Sequence, residues 1–106
     1  MAHQSDAATA IGARIRNRRD EAGISLDTFH VEICQRLPRS LWISTETLRR
    51  LERGGRLPDP VILSAIADVL DVTTEDLAPE MQKELREVRD LLTLRTGCIQ
   101  LAFSAA

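Results

Sequence analysis

The chain has 106 residues, 43% of them hydrophobic, and a formal net charge of -2. That suits one compact domain with one appended element, and it excludes a uniformly basic nucleic-acid binder. No apolar run approaches the ~18 residues of a membrane span, and the opening Met-Ala-His-Gln-Ser-Asp has neither the basic nor the apolar region of a secretory signal, so the cytoplasm is the expected location.

Read in chain order, every predicted element is a helix. Residues 1–7 form a flexible N-terminus without Lys or Arg, which argues against a basic minor-groove arm. The first helix spans 7–22, with Ile11 and Ile15 one turn apart and Gly23 closing it. Ser25 caps the second helix, which runs through Phe29 and Ile33 towards Leu37 until Pro38 ends it. Residues 38–42 connect it to the third, where Ser44 is the cap and Gly54 and Gly55 supply a φ-positive exit. Asp59 and Pro60 open the fourth, whose buried stripe is Ile62, Leu63, Ile66, Val69 and Leu70. Thr73 or Thr74 caps a short fifth helix ending at Leu77. Pro79 opens a sixth that runs to about Arg95 and stops at Gly97. Strand-like alternation occurs only in 98–103, which fits an edge strand.

The third helix carries the chemistry. At about 100° per residue, Thr45, Glu46, Arg49, Arg50 and Arg53 share one arc, while Thr47, Leu48 and Leu51 lie opposite. One face can be buried. The other offers guanidinium groups for phosphates or guanine edges and smaller groups for other base edges. A merely solvated amphipathic helix has the same outline, so the flanking context decides between the two. Charge supplies part of that context. Residues 11–57 hold ten Arg against six acids, and residues 58–106 hold four basic groups against nine acids. A basic half and an acidic half fit one face for an anionic partner and another turned away, although ordinary surface heterogeneity reaches the same imbalance.

Several strings, in order, resemble the lambda-repressor-like (Xre/Cro-type) helix-turn-helix family. Ile11-Gly-Ala-Arg-Ile-Arg-Asn-Arg-Arg19 is similar to its first helix, and Ala22-Gly-Ile-Ser25 to the turn that opens its second. Ile43-Ser44 through Leu51-Glu-Arg-Gly54 resembles its third, and Pro58 through Leu77 its fourth and fifth. The likeness covers roughly residues 8–78. It implies an all-α, five-helix lambda-repressor-like domain, with residues 79–106 added as a C-terminal helix and short tail.

The resemblance implies a sequence-specific regulator of double-stranded DNA, of the phage Cro/immunity or bacterial Xre type. Helix 44–53 would read the major groove, with Thr45, Glu46, Arg49 and Arg50 at base edges. Arg50 suits guanine O6 and N7, and Glu46 either accepts from a cytosine amino group or complements the helix dipole. Ser44, Arg53, Arg56, Arg16 and Arg39 are the phosphate candidates, with Arg14, Arg18 and Arg36 added if their faces meet the backbone. The family pattern pairs Glu52 with an Arg near the end of the first helix, here Arg19, as a structural ion pair. Two departures stand out. Leu26 occupies the start of the second helix, where the family usually has a polar residue. The second and third helices are also about eight residues further apart than the family's tight turn. Either the second helix is extended or a longer loop replaces the turn, with Leu41 and Trp42 expected to plug the core.

Beyond the resemblance, Met81, Leu85, Val88 and Leu92 recur at heptad-like spacing, and Ile99, Leu101 and Phe103 alternate in the tail. A homodimer would match a palindromic operator with half-sites about 34 Å apart. Residues 79–106 are therefore read as the dimerisation element, by helix packing, strand pairing or both, against the alternative that this helix folds back on its own domain. A competing function is an antitoxin-like module whose C-terminal segment binds a partner protein. An enzyme is not expected: His3 and His30 are the only imidazoles, and no catalytic residues, metal-ligand cluster or Gly-rich phosphate loop can be named. No cofactor is implied. Cys34 and Cys98 stand alone and read as small hydrophobes.

Overall fold

The computed structural model describes residues 2–83, 85–87, 90 and 91. Among these, all regular structure is helical, as an all-α helix-turn-helix domain requires. Helix α1 spans Ala2–Ala22, α2 Leu26–Gln35, α3 Thr45–Glu52, α4 Pro60–Leu70 and α5 Thr74–Leu77. Single 3₁₀ turns cover Arg39–Leu41 and Pro79–Met81.

Local chemistry sets most boundaries. The Ser25 Oγ accepts from Thr28 N–H, Ser44 Oγ from Thr47 N–H, and Asp59 from Val61 N–H with Pro60 in the first turn. Thr73, rather than Thr74, caps α5, in a reciprocal capping box with Asp76. Helix α1 begins at Ala2, five residues before the expected Ala7, because the Ala-rich run through Ala10 contains no breaker.

The core forms where α1, α2, α3 and α4 meet. Ile11, Ile15, Phe29, Ile33, Leu48, Leu63, Ile66 and Leu77 are fully buried. The α4 stripe is narrower than expected: Leu63, Ala65, Ile66 and Ala67 are buried, while Ile62, Val69 and Leu70 pack at its edge. Gly12 marks a close backbone approach between α1 and α3. A Cβ there would strike Leu51 O and lie 2.8 Å from Glu52 O and 2.9 Å from Gly54 N, so the backbone of α1 rests directly on the end of α3.

The long α2–α3 connection is a loop, not an extended helix. Helix α2 ends at Gln35, and Arg36 and Leu37 N–H groups bond back to Ile33 and Cys34 carbonyls. The 3₁₀ turn follows, and Trp42 and Ser44 are extended. Leu37 and Ile43 fill the core side of this segment. Leu41 and Trp42 are therefore not core plugs: they are 38% and 50% exposed. The Trp42 indole N–H donates to Leu37 O at 3.1 Å, and the Arg39 guanidinium lies 5.3 Å from the ring centroid.

The first described residues after α5 pack back on the domain. Described residues after Met81 are helical, and Met81 and Leu85 join the core cluster at 6% and 5% exposure. This corrects their expected place in a dimer contact, because their surface is already spent on their own domain. Arg14 secures the junction, donating to both Glu80 carboxylate oxygens at 2.7 and 3.0 Å and to Leu77 O at 3.1 Å. Val88, Leu92, Ile99, Leu101 and Phe103, the expected edge strand, the helix end at Gly97 and Cys98 all lie outside the described residues.

Candidate nucleic-acid interface

Helix α3 is held from within and open on the outside. Leu48 and Leu51 are buried, and so is the carboxylate-bearing Glu52. Arg19 reaches Glu52 from α1 in a bidentate pair, Nε to Oε2 at 2.7 Å and Nη2 to Oε1 at 3.1 Å. Its remaining nitrogen, Nη1, donates to Ile24 O at 2.9 Å. The side chains of Arg19 and Glu52 are only 15% and 7% exposed. The bond to Glu52 raises the affinity of the Arg19 guanidinium for its proton. The pair ties α3 to α1 and, through Ile24, to the entrance of α2.

Both ends of α3 are fixed. At the front, Ser44 caps it, and His30 Nε2 lies 2.6 Å from Ile43 O, which requires the Nε2–H form as donor. The buried Cys34 thiol sits 3.7 Å from the same carbonyl. At the back, Gly54 N–H bonds to Leu51 O and Gly55 N–H to Arg50 O, the Schellman closure. Of these two glycines only Gly54 has positive φ, at +75°, which corrects the expectation for Gly55. Gly55 instead leaves room for the Arg50 stem, whose Cγ lies 2.7 Å from where a Cβ would be.

The outer face carries Glu46, Arg49, Arg50 and Arg53, all exposed, with Thr45 half-buried at its edge. Glu46 bonds along its own helix: Oε2 accepts from Arg49 at 2.9 Å and Oε1 from Arg53 at 3.1 Å. Arg50, Arg56 and Arg16 are exposed and have no polar partner among the described residues. A cleft of about 240 Å³ beside the helix is lined by Trp42, Ser44, Thr47, Arg56, Pro58 and Asp59 among others. The arrangement offers fixed backbone, exposed cationic tips and a carboxylate acceptor, which is what contact with a polyanion displaying base edges needs.

Several arginines point elsewhere. Arg14 turns inward to Glu80 and Leu77 O, so it is a structural clamp and not a phosphate candidate. Arg36 is engaged by Asp68 at 2.7 Å and Glu32 O at 3.0 Å. Arg39, by contrast, stays exposed over the Trp42 ring, with no ion pair among the described residues to hold it inward. Leu26 packs against the core, so the start of α2 presents no polar side chain there. The role of Gly12 was missed, and its one signal was a glycine inside a helical pattern, a costly choice without a packing reason.

A family model described as "Helix-turn-helix domain" matches residues 10–81. The chain is also similar to the "Uncharacterized HTH-type transcriptional regulator YazB" of Bacillus subtilis (strain 168), 37% identical over 68 residues, which cover 64% of this chain and 87% of that protein. No solved structure matches the chain. The chain belongs to the Xre-like helix-turn-helix family.

Proposed function

We propose that this helix-turn-helix protein is a transcriptional regulator that binds double-stranded DNA by placing α3 in the major groove. The observation that carries the reading is the two-sidedness of α3. Leu48, Leu51 and Glu52 anchor it while Arg49, Arg50 and Arg53 stay exposed. Membership of the family supports it, and so does the regulator named above. On this reading Thr45, Glu46, Arg49 and Arg50 meet base edges, and Ser44, Arg53, Arg56, Arg16 and Arg39 meet phosphates.

The finer reading is a repressor of Cro or Xre type that occupies an operator overlapping a promoter, in the cytoplasm, as a homodimer on a palindrome. With Met81 and Leu85 buried, a dimer contact falls to residues beyond them, and Leu91 is 65% exposed. Selection of bound sequences from a random duplex pool, followed by affinity across a salt series, tests the proposal. The expected outcome is a palindromic winner with a steep salt dependence. Arg50→Ala then costs about 1–3 kcal/mol and relaxes preference at one base position. Failure to enrich any sequence overturns the reading.

A further inference from the structure

We infer that Glu46 couples base recognition to the number of phosphate contacts, acting as a specificity-determining counter-ion and not only as a base-edge acceptor. The inference rests on the groove-reading role of α3 proposed above. Glu46, Arg49 and Arg53 stand on one stripe at spacings of three and four residues, and one carboxylate binds both guanidinium groups, one to each oxygen. All three side chains are about half exposed, at 55%, 51% and 61%. The two arginines are thus partly neutralised before any DNA arrives, and nothing buried holds them there.

What happens next depends on the base pair facing Glu46. A carboxylate is acceptor-only, so it pairs with a donor such as the cytosine N4 amino group and repels an acceptor edge. Against a donor, its lone pairs turn to the base and both arginines are released, Arg53 to a phosphate and Arg49 to its base edge or, on a duplex without that base, to a phosphate. Against acceptors, the carboxylate keeps both arginines and adds its own negative charge to the groove. Phosphate binding, which elsewhere is indifferent to sequence, becomes conditional on one base. Arg50, without a polar partner among the described residues, lies outside this coupling.

The test compares the selected duplex with a scrambled duplex of the same length and composition, over about 50 to 200 mM salt, for wild type, Glu46→Gln and Asp71→Asn. Asp71 is exposed at the end of α4, outside α3 and outside residues 79–106, and Asn tolerates its positive φ, so its variant matches the change in net charge. On the scrambled duplex, Glu46→Gln should steepen the salt dependence by about 0.9 per released arginine, a loss of affinity about 3- to 12-fold larger than wild type across that range. The gap between the two duplexes should narrow, and Asp71→Asn should change neither. Glu46→Ala, which removes the acceptor altogether, should shift the slope the same way. An unchanged slope in Glu46→Gln, or one matched by Asp71→Asn, overturns the inference while leaving the DNA-binding reading intact. A wild type that prefers no duplex overturns both.

Discussion

Helix α3 carries two Arg–Glu constellations of the same chemistry on opposite faces. On the inner face, Glu52 and Arg19 are nearly dry and bidentate, 33 residues apart in sequence. On the outer face, Glu46 meets Arg49 and Arg53 within two turns and in full view of solvent. Surroundings, not residue type, separate their roles. A desolvated pair cannot lose one member without stranding a buried charge, whereas an exposed pair exchanges its partner for water or another anion at little cost. The inner pair fixes where the helix sits, and the outer one is free to be traded.

Breaking the inner pair should give the largest effect. Arg19→Ala or Glu52→Ala should cost about 3–5 kcal/mol, a fall in Tm on the order of 12 °C or more for a domain of this size. Glu46→Ala should leave Tm nearly unchanged. Thermal unfolding of the three variants checks the contrast, and equal Tm values would erase it. Next comes Gly12→Ala, whose Cβ meets backbone atoms of Leu51, Glu52 and Gly54. The helices must part, at a cost of about 1–3 kcal/mol. Denaturant unfolding should show the loss, and the folded fraction should bind DNA more weakly because the outer face has been re-aimed.

The smallest effect sharpens the comparison by lying between the extremes. Arg14 and Glu80 form an equally good bidentate pair, but at 37% and 32% exposure. The bond from Arg14 holds the Glu80 carboxyl below its ordinary value of 4.5. A carboxyl with a lowered folded pKa contributes stability above its unfolded value, and that contribution is lost as pH falls through the lowered one. Glu80→Gln should therefore cost only about 0.2–1 kcal/mol at neutral pH. It should also remove part of the acid-side loss of stability below about pH 4.5, as read by unfolding against pH. A variant with the wild-type acid limb would sink this account.

Legibility followed distance along the chain. Ser25, Ser44, Asp59 and Gly54 act on neighbours two to four residues away, so their roles could be read in the sequence, and the element order was readable with them. The arc of α3 was readable for the same reason. What it could not tell was which polar groups are already engaged. Arg36 meets Asp68 and Arg14 meets Glu80 across 32 and 66 residues, and no local pattern announces either. Glu46 had two readings, base acceptor or dipole partner, and the structure adds a third through its own helix. Trp42 looked like a core residue by hydrophobicity alone, but Leu37 and Ile43 occupy the adjacent core positions, and its ring became an outer shelf for Arg39. Met81 and Leu85 fit a heptad stripe, yet that spacing also serves a helix packed on its own domain.

The Schellman closure, the Ser44 cap and the buried pair secure α3 without using the side chains of Glu46, Arg49 or Arg50. Folding places no demand on Glu46, Arg49 or Arg50 beyond helix propensity. Those positions can drift in a lineage, or be randomised in a library, without touching the scaffold, so on the proposed reading a change of preferred DNA sequence lies few substitutions away. The same independence means that a folded relative with a different outer face says nothing about which genes this one controls.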